Sequence, residues 1–120
     1  MGKNMEVALL LDFYGDMLTE KQRNVMELYY NQDLSLAEIA ENDGISRQGV
    51  RDSIKRAETQ LLDMEERLGL AKRFRSMQES FQAIRQAAHD IRRYNDRYIH
   101  SREITESLEK IEWQTDKLEE

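Results

Sequence analysis

Arg47, Gln48, Arg51 and Lys55 recur at spacings that set them on the outer side of one helix, with Ser46 and Arg56 at its margins. Cationic side chains bind phosphate oxygens, whereas arginine and the glutamine amide form paired hydrogen bonds with base edges in a major groove. The chemistry on offer is recognition of nucleic acid, with Arg47, Gln48 and Arg51 toward base edges and Ser46, Lys55 and Arg56 toward phosphates. The plain alternative is a solubilising face whose cations pair with Asp52 and Glu58 at helical distances.

Other chemistries lack their residues. His89 and His100 lie eleven positions apart, about three helical turns, too far to hold one metal from a single helix. Asp96, His100 and Glu103 could share a face, but Arg97 and Arg102 beside them suit a solvated surface better than a metal site. Without cysteine there are no disulfides, thiolate nucleophiles or zinc-finger ligands. The five glycines form neither a phosphate loop nor a dinucleotide fingerprint, and no serine stands with a histidine and a carboxylate in a known pattern. The expectation is a non-enzyme with no cofactor and no metal.

The elements that must position the basic face are written into residues 35 to 56, SLAEIAENDGISRQGVRDSIKR. Ser35 and Glu38 form a capping box at the start of a short helix whose Leu36, Ile39 and Ala40 share one side. Gly44 stops that helix in a left-handed turn, and Ile45 tucks back into the core. Ser46 caps the next helix, which buries Val50, Ile54 and Ala57 and so turns the cations outward. Two helices about a glycine turn make a helix-turn-helix unit, the second being the recognition helix.

Composition narrows the class. A chain of 120 residues with 35% charged residues, 39% hydrophobic residues and no proline favours long amphipathic helices, hence an all-α fold. The net charge of -6 argues against non-specific coating of nucleic acid, so any contact must come from a local basic patch. Residues 1–45 carry -6 and residues 46–75 carry +3, so the basic part begins at the proposed recognition helix. Met1 to Leu18 resembles neither a signal peptide nor a spanning helix, which places the protein in the cytoplasm, away from membranes.

Upstream, Val7, Leu10, Leu11 and Tyr14 predict a first helix ending at Gly15 and Asp16. Thr19 and Gln22 predict a capping box for a second, with Val25, Met26 and Tyr29 inward. The aromatics Phe13, Tyr14, Tyr29 and Tyr30 read as core residues with some hydroxyls reaching solvent. The recognition helix continues through Leu61, Met64 and Leu68 to Gly69, and its excess length must pack on the first helix, the tail or a second subunit. We place a helix-turn-helix head at residues 1–69 and a helical tail at 70–120. In the tail, Phe74, Met77, Phe81, Ile84, Ala88, Ile91 and Tyr98 form a heptad-like seam interrupted by Asn95, which reads as a register-setting residue or a fray point. Ser101 then caps a helix carrying Ile104, Leu108, Ile111, Thr115 and Leu118, so the tail is a hairpin or a kinked rod. Such helices hide too little surface alone, and the tail is expected to oligomerise, as a homodimer, or to dock on the head.

The segments LLDFYGDMLTEKQRNVMELYYNQDLSLAEIAE and GISRQGVRDSIKRAE resemble the YlxM family over roughly residues 7–75. These are small bacterial helix-turn-helix proteins described as candidate components of the signal recognition particle. More distantly, LTEKQRNVMELYY and SLAEIAE resemble region 4 of bacterial sigma factors, where such a unit reads promoter DNA. The chain departs from the YlxM pattern at Asp43, Gly49 and Arg51. The resemblance implies a regulatory helix-turn-helix protein of the signal-recognition pathway, binding DNA or the particle's RNA. The alternative is an adaptor docking on a signal-recognition GTPase.

Overall fold

The computed structural model describes residues 2–118, and among them every regular element is helical. The chain forms two compact units, Met1–Arg73 and Phe74–Glu120. In the first lie α1 (Met5–Tyr14), a 3-10 turn (Gly15–Met17), α2 (Glu20–Tyr30), α3 (Leu36–Asp43) and α4 (Arg47–Leu68). Next comes α5 (Leu70–Tyr94), a π-helical turn (Asn95–Ile99) and α6 (Arg102–Leu118).

Helix boundaries in the head follow local chemistry. Thr19 and Gln22 form a reciprocal capping box at α2, as Ser35 and Glu38 do at α3. Each box satisfies amides that a helix start leaves without partners. Gly44 is left-handed at φ 68°, and the amides of Gly44 and Ile45 both donate to the Ala40 carbonyl. Gly69 repeats the device at φ 63°. Both positions suit glycine because a Cβ makes this conformation costly.

Helices α1, α2 and α3 all pack on α4, which is the central element of the head. Val50, Ile54, Ala57 and Leu61 are fully buried there against Val7, Leu10, Val25, Met26 and Ile39. Leu68, expected in the same stripe, is exposed, since α4 ends on it and Gly69 turns the chain. The length of α4 beyond Thr59 packs on α1 through a polar lock. Glu65 accepts hydrogen bonds from the Tyr14 hydroxyl at 2.7 Å, from the Ala71 amide at 3.1 Å and from the Lys72 amide at 3.0 Å. The Leu70 amide donates to the Tyr14 oxygen at 3.0 Å. The first amides of α5 are thereby capped from α4 and α1.

The aromatics are core residues, and the hydroxyls of Tyr14 and Tyr30 are tied down within the head. Tyr14 binds Glu65, and Tyr30 donates to Glu58 while accepting from the Asn4 amide. Burial, reinforced by the neighbouring carboxylate, raises the pKa of both phenols above the ordinary value.

The second unit is a hairpin, not a kinked rod. Arg85 and Arg92 of α5 reach Asp116 and Glu112 of α6 at 2.7 and 2.8 Å. Asn95, 2% exposed, is no fray point. Its Nδ2 donates to the Ser101 carbonyl at 3.0 Å and to Thr105 Oγ1 at 2.9 Å, and its Oδ1 accepts the Ser101 amide at 2.7 Å. Ser101 Oγ accepts from the Ile104 amide and starts α6. Of the expected α5 seam only Ala88 is buried and Phe81 partly so, while Phe74, Met77, Ile84, Ile91 and Tyr98 remain exposed. A hairpin of two helices covers only half of each helix's apolar stripe.

Candidate nucleic-acid interface

The interface is built by the turn Gly44–Ser46 and the first three turns of α4. Burial of Val50, Ile54 and Ala57 against the other head helices fixes the rotation of α4. At about 100° per residue, Gln48, Asp52 and Lys55 then fall along the outward midline, Arg47 and Arg51 on one shoulder, and Arg56 on the other. Arg47, Gln48, Arg51, Lys55 and Arg56 are all exposed. Among the described residues none of the four cations makes an ion pair, so the pairing of this face with Asp52 and Glu58 does not occur. Glu58 is taken by Tyr30.

Two proposed contacts are already engaged. Ser46 Oγ accepts the Gly49 amide at 3.0 Å, so its hydroxyl proton alone is available to a phosphate. Gln48 Nε2 donates to Asp52 Oδ1 at 2.9 Å and must release that partner to read a base. Gly49 leaves little room for change, since a Cβ there would lie 3.2 Å from Ser46 Oγ.

The structure adds residues that sequence reading passed over. An open hollow joins the start of α2 to α4, where Lys21, Asp52, Ser53 and Arg56 are among its lining residues, together with Ile45 and Gly49. Lys21 and Arg56 bring two cations to this hollow and Asp52 a carboxylate, while the capping box already engages the Thr19 and Gln22 amides at the start of α2. The capping box marked the start of α2, but no local pattern could place it beside residue 56. Asp52, read only as a neutralising neighbour, stands on the midline, where a carboxylate can accept from a cytosine amino group.

A capped α3, a left-handed glycine, and a second helix turning four unpaired cations outward constitute a helix-turn-helix unit. A family model described as "Putative helix-turn-helix protein, YlxM / p13 like", UPF0122, matches residues 1–100. The chain belongs to this family. A UPF0122 protein of Clostridium kluyveri is 50% identical over 84 residues, covering 70% of this chain and 76% of that protein. One from Clostridium perfringens is 46% identical over 103 residues, covering 80% and 92%. One from Acetivibrio thermocellus is 57% identical over 74 residues, covering 62% and 63%. The family match, like the fold, supports the YlxM resemblance seen in the sequence. Among the described residues no helix of this family member is long and apolar enough to cross a membrane.

Proposed function

We propose that this protein is a cytoplasmic, non-enzymatic nucleic-acid-binding protein that acts with the signal-recognition pathway. Its ligand is DNA near that pathway's genes or the RNA of the particle. The observation that carries the reading is the set of four exposed, unpaired cations on α4, presented by a capped helix-turn-helix in a chain of net charge -6. An acidic protein that keeps one cationic face free of ion pairs has a local surface suited to a polyanion. Arg47, Gln48 and Arg51 approach base edges, and Ser46, Lys55 and Arg56 hold phosphates.

Titration with duplex DNA and with the particle RNA at several salt concentrations tests this. If Lys55 and Arg56 of a head each neutralise a phosphate of duplex DNA, the slope of log K against log salt is about -1.8, and Lys55→Gln reduces its magnitude by about 0.9. Arg47→Glu with Arg51→Glu weakens binding while leaving the helical signal intact. No binding to either ligand at low salt, or an unchanged affinity in the folded double variant, refutes the reading.

Asp52, on the midline of the same face, favours a second reading. A carboxylate amid cations suits a protein surface of mixed charge, as in an adaptor docking on a signal-recognition GTPase. Capture of that GTPase with no nucleic-acid binding would establish it.

A further inference from the structure

The tail hairpin has two unlike sides. Counting along α5 from buried Ala88, Arg85 and Arg92 lie toward one side, Ile84 and Ile91 toward the other. From buried Leu108 on α6, Thr105 and Glu112 lie toward the first side, Ile104 and Ile111 toward the second. The first side is sealed across the helices by the ion pairs Arg85–Asp116 and Arg92–Glu112. The second is open and apolar: Met77, Ile84, Ile91, Ile111 and Leu118 are 38 to 51% exposed.

These open positions recur every seven residues on both helices, at Met77, Ile84 and Ile91 and again at Ile104, Ile111 and Leu118. The inward set does the same, at Phe81, Ala88 and Asn95 and at Ser101, Leu108 and Thr115. Because the helices run antiparallel, the open residues meet as three rungs: Ile91 with Ile104, Ile84 with Ile111, Met77 with Leu118. Next to the middle rung, on its outer margins, stand Ser80, Ala87, Ser107 and Gln114, all exposed and uncharged.

We infer that this face is covered by the same face of a second copy, the two hairpins forming a four-helix bundle. A helix with apolar residues at both heptad positions belongs in a bundle whose centre receives both, and one hairpin buries only one set. Three evenly spaced rungs are self-complementary: a two-fold axis through the middle rung lays Ile84 and Ile111 on their equivalents and each outer rung on an outer rung. The uncharged margin offers nothing to a polyanion or a charged peptide. Five exposed side chains and the half-buried Ile104, doubled by the two-fold, give an apolar patch at the low end of the range, about 1,000 Å² and above, that a specific interface requires. The dimer does not depend on what α4 binds.

Light scattering on the full chain gives the test. The expected mass is twice the 14.3 kDa of one chain, falling toward the monomer on dilution. Ile84→Asp with Ile111→Asp, at the middle rung, yields a monomer at concentrations where the wild type is dimeric. Ser80→Asp with Ser107→Asp, which charges the margin without touching the rungs, weakens the dimer and guards against a hairpin that fails to fold. A wild type that stays monomeric at 100-fold above the micromolar range, or a folded rung variant that stays dimeric, overturns the inference. The thiol of Ile84→Cys, unique in a cysteine-free chain, reports what happens in a monomer. Slow labelling there means the same chain covers the face, and fast labelling leaves it for another protein; either result also overturns the inference.

Discussion

Replacing Asn95 by alanine removes three hydrogen bonds at one stroke, to the Ser101 amide, the Ser101 carbonyl and Thr105 Oγ1. At a net worth of about 1 kcal/mol each, the loss is about 3 kcal/mol, moderated where water reaches half-buried Ser101. That energy corresponds to a factor of roughly 100 in the equilibrium for opening the turn. Hydrogen exchange read residue by residue is the assay. In Asn95→Ala the Ser101 and Thr105 amides lose about two decades of protection, while Val25 and Ile54 in the head keep theirs. Asn95→Asp sharpens the test, because a carboxylate keeps the acceptor for the Ser101 amide but turns an acceptor toward the Ser101 carbonyl. That variant should be as weak as alanine at neutral pH and recover as the pH falls through the carboxylate range, when protonation restores a donor. Unchanged protection at Ser101 in Asn95→Ala, or no acid recovery in Asn95→Asp, would show that the side chain does not close the hairpin.

Tyr30 has a folded pKa above its unfolded value of about 10, so its hydrogen bond to Glu58 contributes fully below pH 10 and is lost as pH rises above it. The head should lose stability in alkali more steeply than Tyr30→Phe, and parallel pH curves would contradict this. Gly49→Ala gains about 0.5 to 1 kcal/mol of helix propensity but crowds Ser46 Oγ. Denaturant titration should show a larger gain in a Ser46→Ala background than in wild type, and equal gains would remove the crowding term. Tyr14→Phe strips Glu65 of its hydroxyl donor and the Leu70 amide of its acceptor, so exchange at Leu70 should rise. Equal exchange would show that the lock is not needed to start α5.

What the sequence disclosed was short-range. Thr19 with Gln22, Ser35 with Glu38, and Ser46, Ser101, Gly44 and Gly69 act within three or four residues of themselves, and all cap or stop the helices they were expected to. Partners distant along the chain were not legible. Tyr14 meets Glu65 and Tyr30 meets Glu58 only after four helices have packed, and nothing near either tyrosine signals a carboxylate. The tail shows the same limit: periodicity named the apolar stripe of α5, but it could not tell that the hairpin would bury Ala88 and leave Ile84 and Ile91 open. At the interface, spacing put the cations outward. It could not show that Lys21 of α2 would line one hollow with Asp52 and Arg56 of α4.

The seven-residue repeat on both tail helices sets a grammar for length. The tip is fixed by Asn95 and Ser101, so a residue gained or lost in α5 slides every rung below it out of level with α6. A single insertion in α5 turns the arm before it by about 100° and carries Arg85 from the ion-paired side onto the open one. Only seven residues in one arm matched by seven in the other preserve levels and sides together. Tails of related chains that keep this hairpin should therefore differ by paired sevens, one heptad in each arm.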